Sequence, residues 1–359
     1  MTIPAAPLPD LSALFRGLSA EAPSDGAPWL AGGSARRAIF FSRASMALAS
    51  AAFALRGEDP SGSWRLWVPE YFCEEALGSI RRSGVSLRFY AVKEDLSPDL
   101  PRDLAGPGAL LAVHYFGFPN ASAATRDACR AAGLTLIEDA AHVLMPQEGV
   151  GASSWTIYSP RKLLALPAGG ILICPEVEAA RIPPAAPAAP AESGGTVLWA
   201  LRRLAQAALR TGRIPWRQGE AVAAVVDSGE APRSLSTFER RLLAVAAGRL
   251  ADAARRRREN FLAIHEWAAE HKEFRPMRTG LPEDVCPYAY PFLAAEAARV
   301  VSGLRARGVP AYRWPDLPPE ARGAVARRLA AETVLLPVHQ SLLPRELRRM
   351  RTALKEVFS

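Results

Sequence analysis

The stretch "LTLIEDAAHVLMP", residues 134–146, joins an apolar run to two acids and a histidine. Its first half has the aliphatic residues of a buried strand, and Glu138 and Asp139 come where that strand should end. Because side chains alternate along a strand, the two acids face opposite sides of the sheet, and we expect Glu138 to be structural. An unpaired buried carboxylate is costly, so the rest of the sequence has to explain Asp139 and the nearby His142.

Short apolar runs that favour strands alternate with helical patterns on both sides of this stretch. Strands are predicted at residues 65–71, 86–92, 109–118, 134–140, 154–159 and 169–175. Helices are predicted at residues 74–84 and 122–133, each ending at a glycine. This alternation is typical of an α/β fold with a parallel or mixed sheet covered on both faces. In such sheets ligands bind beyond the carboxyl ends of the strands, where Asp139 and His142 are expected.

The second half of the chain is predicted to contain a linker, two helical stretches and a small α+β C-terminal domain. Residues 183–195 form a low-complexity Pro/Ala linker, and residues 196–213 a basic amphipathic helix. We expect this helix to pack on the protein or on a second copy, with a membrane surface as the alternative. Residues 236–271 are predicted as one long helical stretch. The predicted domains are 1–235, a large domain with an insertion at about 176–232, and 236–359, a spine helix with a small C-terminal domain.

Composition narrows the class of protein. The 359 residues are 49% hydrophobic and 22% charged, as in a globular protein. The net charge of +8 is read as a solvated basic surface, because no basic stretch is interleaved with aromatic residues as in single-strand nucleic-acid binders. We therefore predict no nucleic-acid partner, and the arginines at 255–258 are expected on a solvated or inter-subunit helix face, with an anionic nucleotide as the alternative.

Cysteine spacing and hydropathy point to a compartment. Cys73, Cys129, Cys174 and Cys286 form no CxxC pair, which indicates neither a metal site nor a disulfide framework. No signal-peptide pattern and no apolar run of membrane-spanning length is present. We predict a cytoplasmic protein without stable membrane insertion.

Lys162 gives Asp139 a chemical context. It follows a predicted strand, with Ser159 three residues before it and Gly169–Gly170 after it. A pyridine cofactor needs a carboxylate at its ring nitrogen, a lysine amine, and small donors for its phosphate. Asp139, Lys162, Ser159 and Ser45 supply that set in a consistent chain order.

The phosphate end of such a site is predicted at residues 42–45, directly before a strongly helical run. Small residues at a helix start let backbone N–H groups reach a phosphate, and the helix dipole adds to the attraction. The alternative is an ordinary serine N-cap.

The order of these motifs resembles the DegT/StrS-type sugar aminotransferase family, which are pyridoxal 5′-phosphate (PLP) enzymes of fold type I. The motifs are "RASMAL", "VPEYFC", "VHYFGFP", "LIEDAAH", "SPRKLLALPAGG" and "LPVHQSL". The similarity runs with gaps over about residues 30–175 and 236–355. It implies a large domain with a mostly parallel, seven-stranded-type sheet between helices, plus a small α+β C-terminal domain.

The resemblance also implies an activity. The chain would be a homodimeric aminotransferase that moves an amino group from an amino acid, typically glutamate, to a keto group. The acceptor would be a nucleotide-linked sugar used in polysaccharide or secondary-metabolite synthesis. A related dehydratase is disfavoured, because those relatives typically carry histidine in place of Lys162.

Individual roles follow from the same resemblance. Lys162 would attach to PLP and relay a proton, while Asp139 would pair with the pyridine nitrogen. His142 would lie near the ring oxygen, and Ala141 would pack on one face of the ring. The other face would be covered by Phe72, with Tyr71 as the alternative. The phosphate would be bound by Ala44, Ser45 and Ser159.

Some positions depart from the family pattern. Ile157 stands where a phosphate-binding serine is usual, Cys73 stands at the usual stacking position, and Ala44–Ser45 replaces a Gly-Thr pair. The family's Asn-Tyr-Arg segment is absent, and residues 232–241 stand in its place. These departures leave open a second hypothesis, a PLP-fold relative that acts as a scaffold or regulatory partner without turnover.

Overall fold

The structure is a computed structural model that describes residues 2–19, 27–30, 35–59, 61–186, 190–209, 232–271 and 274–358. The strands of this part are β1 Arg36–Phe41, β2 Arg65–Pro69, β3 Ser86–Val92, β4 Pro98–Asp99, β5 Gly108–Val113, β6 Thr135–Ala140, β7 Trp155–Tyr158, β8 Gly170–Pro175, β9 Arg275–Pro276, β10 Ala289–Leu293, β11 Tyr312–Arg313 and β12 Thr333–Pro337. Its helices are α1 Leu11–Ser19, α2 Ala44–Arg56, α3 Glu74–Arg82, α4 Ala123–Ala131, α5 Pro160–Leu163, α6 Glu176–Ala179, α7 Pro190–Leu209, α8 Thr237–Ala247, α9 Leu250–Ala269, α10 Ala297–Ala306, α11 Ala324–Glu332 and α12 Pro344–Phe358.

The large sheet has the order β1-β8-β7-β6-β5-β2-β3-β4. Strands β7, β6, β5, β2 and β3 are parallel, whereas β8 is antiparallel to both of its neighbours. The predicted α/β architecture with a mostly parallel sheet is confirmed. The sheet consists of seven longer strands and β4, a two-residue strand at its edge. Neither β4 nor β1 was predicted.

The central strand β5 explains why the sheet lies between layers of helices. All six of its residues are buried, so both faces of the strand are covered. Leu111 belongs to the main hydrophobic cluster, whereas Leu110 and Ala112 pack with Cys129 of α4 in a separate cluster. Strands that are apolar on both faces are typical of parallel sheets, which is the pattern the sequence showed.

The small sheet is antiparallel, with the order β11-β12-β10-β9. Its core is continuous with that of the large sheet, since one cluster contains Leu111 of β5, Phe292 of β10 and Val334 of β12. The N-terminal segment joins this part of the molecule, because Ile3 N–H donates to the Gly308 carbonyl at 2.9 Å. The division at residue 235 stays a prediction.

The second half of the chain differs from the sequence-based expectation in two places. The stretch predicted as one helix forms α8 and α9, with a break at Gly248–Arg249. Helix α7 begins at Pro190, inside the predicted linker, because proline is tolerated in the first turn of a helix. Residues 187–189 and 210–231 of the predicted insertion lie outside the described residues. Among the helices that the structure describes, none is both long and apolar enough to cross a bilayer.

Candidate functional site

The carboxyl ends of β5, β6 and β7 lie at one edge of the large sheet and place Asp139 there. Asp139 is the penultimate residue of β6 and is in register with Val113 and Ile157 on its two neighbours. Its Oδ1 accepts a 2.8 Å hydrogen bond from the Ala141 N–H, and its side chain is half-buried. Burial raises the pKa of Asp139, and the positive charge of Lys162 opposes that rise.

Lys162 reaches the same place from the next strand. Helix α5 follows β7 with Pro160 at its first position, and the Lys162 N–H donates to the Ser159 carbonyl at 2.9 Å. The Lys162 Nζ lies 3.2 Å from Nε2 of His142. The structure therefore brings together Asp139, His142 and Lys162, as the sequence predicted.

His142 is held in one orientation by its neighbours. Its ring is buried and stacks on Tyr288 with the centroids 4.2 Å apart and the planes at 3°. The Phe116 N–H points at Nδ1 at 3.4 Å, which favours the tautomer that carries its hydrogen on Nε2. Burial holds the pKa of His142 well below its ordinary value, and Lys162 lowers it further. The ring is therefore neutral, and its Nε2 lies within hydrogen-bond distance of the Lys162 side chain.

Arg257 anchors the walls of this site, and this role of Arg257 was not predicted from the sequence. Its side chain is 1% exposed, so the expectation of a solvated helix face is wrong for this residue. The guanidinium donates to the carbonyls of Leu163 at 2.8 Å and Tyr288 at 3.0 Å, and to Gln340 Oε1 at 2.9 Å. These bonds tie α5, which carries Lys162, to the segment that stacks on His142.

Glu138 lies on the opposite face of β6 and is structural, as expected from strand alternation. It is fully buried and pairs with His114 Nε2 at 2.9 Å. It also accepts backbone N–H bonds from Gly151 at 2.7 Å and Ser153 at 2.6 Å. His114 in turn accepts from the Asn120 N–H through Nδ1, so this histidine belongs to the buried pair.

The predicted phosphate end lies where α2 begins. Ala44 and Ser45 are the first two residues of α2, and the side chain of the N-cap residue Arg43 makes no capping hydrogen bond. Gly170 of β8 packs directly against it, since a Cβ there would lie 2.4 Å from the Arg43 carbonyl carbon and oxygen. Ser159 is fully buried, and its Oγ lies 3.4 Å from the Gly169 carbonyl oxygen. Backbone from α2, α5 and β8 thus meets at one point.

The two aromatic residues predicted to cover the cofactor ring, Phe72 and Tyr71, are both engaged within the protein. Phe72 is 3% exposed and packs in the main hydrophobic cluster, while Tyr71 donates to Thr333 Oγ1 at 2.9 Å. The thiol of Cys73 lies within electrostatic range of Lys162, which lowers its pKa against the larger effect of burial. The assignment of Phe72 to one ring face, and of Ala141 to the other, stays a prediction. Ile157 is a buried core residue of β7, consistent with its side chain not serving as a polar ligand.

No protein-family model and no curated protein matches the sequence. Solved structures do match over nearly the whole chain. An aminotransferase of pseudoaminic acid biosynthesis from Helicobacter pylori, PseC, is 16% identical, with a TM-score of 0.73 over 99% of this chain and 98% of that one. A DegT DnrJ EryC1 StrS aminotransferase from Brucella abortus is 15% identical, with a TM-score of 0.67 and coverage of 97% and 95%. DesI, solved with its TDP-sugar product, is 19% identical, with a TM-score of 0.69 and coverage of 99% and 92%.

These similarities extend over both the large sheet and the small C-terminal sheet. Because the sequence identities are low, the similarities show only the fold of this chain. The fold predicted from the motif order is confirmed: the chain has the fold of the DegT/StrS-type sugar aminotransferases, which is fold type I of the PLP-dependent enzymes.

Proposed function

We propose that this chain is a PLP-dependent aminotransferase that acts on a keto group of a sugar. The observation that carries the proposal is the meeting of Asp139, His142 and Lys162 at the strand ends, beside the uncapped start of α2. An acid, an amine and an anion-binding helix start in this order are the groups that a pyridine cofactor with a phosphate requires.

The residues present fit PLP. Asp139 uses one carboxylate oxygen for the Ala141 N–H, and within the described residues its Oδ2 makes no hydrogen bond, so it can face a protonated pyridine nitrogen. The first N–H groups of α2 and the backbone around Gly170 form a cradle that a Cβ would fill. We infer that Asp139 and His142 hold the ring, that Lys162 holds its reactive carbon, and that Ala44, Ser45 and Ser159 hold the phosphate.

When bound, PLP supplies an electron sink that stabilises negative charge at the substrate carbon. The chain's own part is proton transfer and orientation. With PLP bound, the Lys162 Nζ would take the proton from the donor's α-carbon and would later deliver a proton to the carbon of the acceptor. His142 Nε2 lies 3.2 Å from this Nζ and would orient it, while the carboxylate of Asp139 would keep the ring nitrogen protonated.

The similar structures support a proposal for the substrate class. PseC acts in pseudoaminic acid biosynthesis and DesI was solved with a TDP-sugar product. We propose a nucleotide-linked keto sugar as the acceptor and glutamate as the donor. A homodimer is part of the proposal, because α1 leaves Leu11, Phe15 and Leu18 exposed at the spacing of one helix face, which suits contact with a second copy.

A half-reaction assay tests the proposal. The protein is loaded with PLP and mixed with glutamate, and both the cofactor's visible absorbance and the 2-oxoglutarate formed are measured. We expect loss of the absorbance with one equivalent of 2-oxoglutarate, and no change for Lys162→Ala. Nucleotide-linked keto sugars are then added, and the one that restores the absorbance is the acceptor. A protein that binds PLP without reacting with any amino donor would instead favour the scaffold hypothesis.

A further inference from the structure

Two arginines lie beside the cofactor cradle, and neither forms an ion pair with a residue in the described part of the chain. Arg43 is the N-cap residue of α2, and Arg161 precedes Lys162 in α5. The Gly169–Gly170 pair separates them. A Cβ on Gly169 would lie 3.4 Å from the Arg161 nitrogen, and one on Gly170 would lie 2.4 Å from the Arg43 carbonyl carbon. The backbones of Arg43 and Arg161 therefore both pack against the Gly169–Gly170 pair.

The two guanidinium groups are close enough to repel each other. Burial, together with the smaller effect of the Arg43 charge, lowers the pKa of Arg161 to about 9. Burial also lowers the pKa of Arg43. Within the described residues no hydrogen bond or ion pair reaches either guanidinium, and the Nε of Arg161 is buried without a partner. Two such cations in a desolvated place are unfavourable unless an anion joins them.

The carboxylates nearby do not neutralise this pair. Glu75 lies within electrostatic range of Arg161, Lys162 and Arg43, but it forms no ion pair with any residue that the structure describes, and burial raises its pKa. Glu239, which acts on Arg43, is engaged in the capping box that begins α8. Positive charge is thus in excess at the end of the site where α2 begins.

We propose that Arg43 and Arg161 together clamp the phosphate of PLP in this chain. The inference rests on the proposed function, and it explains how the cradle works although Ile157 replaces the usual serine and the Asn-Tyr-Arg segment is absent. Guanidinium groups bind phosphate through two parallel N–H donors, and a dianion between them removes their repulsion. The open N–H groups of α2 complete the shell around the phosphate.

Comparing PLP with pyridoxal tests the clamp, because pyridoxal lacks only the phosphate. Dissociation constants for both are measured by absorbance with wild type, Arg43→Gln, Arg161→Gln and Arg161→Lys. Each glutamine variant is expected to bind PLP roughly 10- to 100-fold more weakly and pyridoxal within about twofold of wild type. Arg161→Lys should recover part of the loss. Arg37→Gln, an exposed arginine on β1, serves as the matched control and should change neither constant.

The cofactor-free proteins give an independent readout. If the arginines repel each other, Arg161→Gln should raise the melting temperature of the apoprotein, although it weakens PLP binding; a purely structural arginine would lower both. Inorganic phosphate should stabilise apo wild type and compete with PLP but not with pyridoxal. The clamp would be overturned if wild type binds PLP and the variants bind it with the same affinity. Variants that bind PLP normally and lose only the response to substrate would overturn it as well. Wild type that binds neither compound would overturn the proposed function itself.

Discussion

Two adjacent acids, Glu138 and Asp139, have opposite environments, and this contrast identifies the reactive one. Burial raises the pKa of Glu138, but the hydrogen bond and charge of His114 and two backbone N–H bonds more than offset it, so the net pKa is lowered. For Asp139 burial dominates and the net pKa is raised. Neighbouring carboxyls whose pKa values are pushed apart by their surroundings commonly divide into a structural and a functional group.

Asp139→Asn should stabilise the cofactor-free protein at pH 7 while lowering activity on the order of 100-fold or more. A carboxyl with a raised folded-state pKa binds its proton more tightly in the native state, so its destabilising effect develops as pH rises above the ordinary value of 3.8. The stability difference from wild type should therefore open above about pH 4 and vanish below it. Urea unfolding at several pH values measures this, and an apoprotein that Asp139→Asn destabilises at pH 7 would contradict it.

Glu138→Gln is the matched control for that experiment. Its lowered pKa contributes stability that is present above the ordinary value of 4.5 and is lost as pH falls through the folded-state pKa. Replacing the carboxylate sets an amide N–H₂ against backbone N–H donors, which should cost about 1–3 kcal/mol in unfolding free energy at pH 7.

At the scale of elements, the site depends on how closely β8 passes the start of α2. Gly170→Ala would place a Cβ 2.4 Å from the Arg43 backbone. We expect a loss of about 1–3 kcal/mol in unfolding free energy, together with weaker PLP binding, because α2 must move. Gly280→Ala is the control, since a Cβ there meets nothing within 4 Å. Thermal unfolding and PLP titration measure both effects, and equal behaviour of the two variants would show that the close approach is not needed.

Helix α9 fixes the other wall through Arg257. Arg257→Met removes the guanidinium donor of the Tyr288 carbonyl and leaves the Leu163 carbonyl with Gln340 Nε2 as its side-chain donor. It should cost about 3 kcal/mol of unfolding free energy and lower kcat more than KM. Arg255→Met, exposed on the same helix and paired with Asp252, should leave both nearly unchanged. Chemical denaturation and steady-state kinetics check this, and a stable, fully active Arg257→Met protein would remove the proposed anchoring role.

Local patterns predicted the elements around the site well, because β5, β6 and β7 are apolar runs with clear ends. Arg257 was missed although a signal existed. The buried positions Leu250, Ala253, Phe261 and Ile264 recur at helical spacing, and Arg257 falls in that stripe. The stacking of Tyr288 on His142 joins residues 146 positions apart in sequence, counted from their numbers, and no local pattern encodes such a contact.

At the scale of the whole molecule, the large and small sheets share one hydrophobic cluster. Leu111 of β5 and Phe292 of β10 belong to it, and Tyr71 reaches Thr333 of β12 through a 2.9 Å hydrogen bond. Unfolding of either sheet would therefore expose the hydrophobic core of the other, and the site depends on both. The N-terminal segment strengthens the connection, since His339 Nε2 lies 2.9 Å from the Pro4 carbonyl oxygen.

A shared core predicts one cooperative unfolding transition, measured by calorimetry. PLP at about 100 times its dissociation constant should stabilise the protein by about 2.7 kcal/mol and shift the whole transition upward. Lys162→Ala, which cannot attach the cofactor, should shift less. Two separated transitions, with only one responding to PLP, would indicate that the two sheets unfold independently.

The central claim is that Lys162 carries PLP opposite Asp139, and peptide mapping after borohydride reduction tests it most directly. The protein is incubated with PLP, reduced, digested and analysed by mass spectrometry, with Lys162→Ala treated in parallel. We predict stoichiometric cofactor on the peptide that contains Lys162 and none in the variant. Cofactor spread over several surface lysines, or an unmodified Lys162 peptide, would contradict the account.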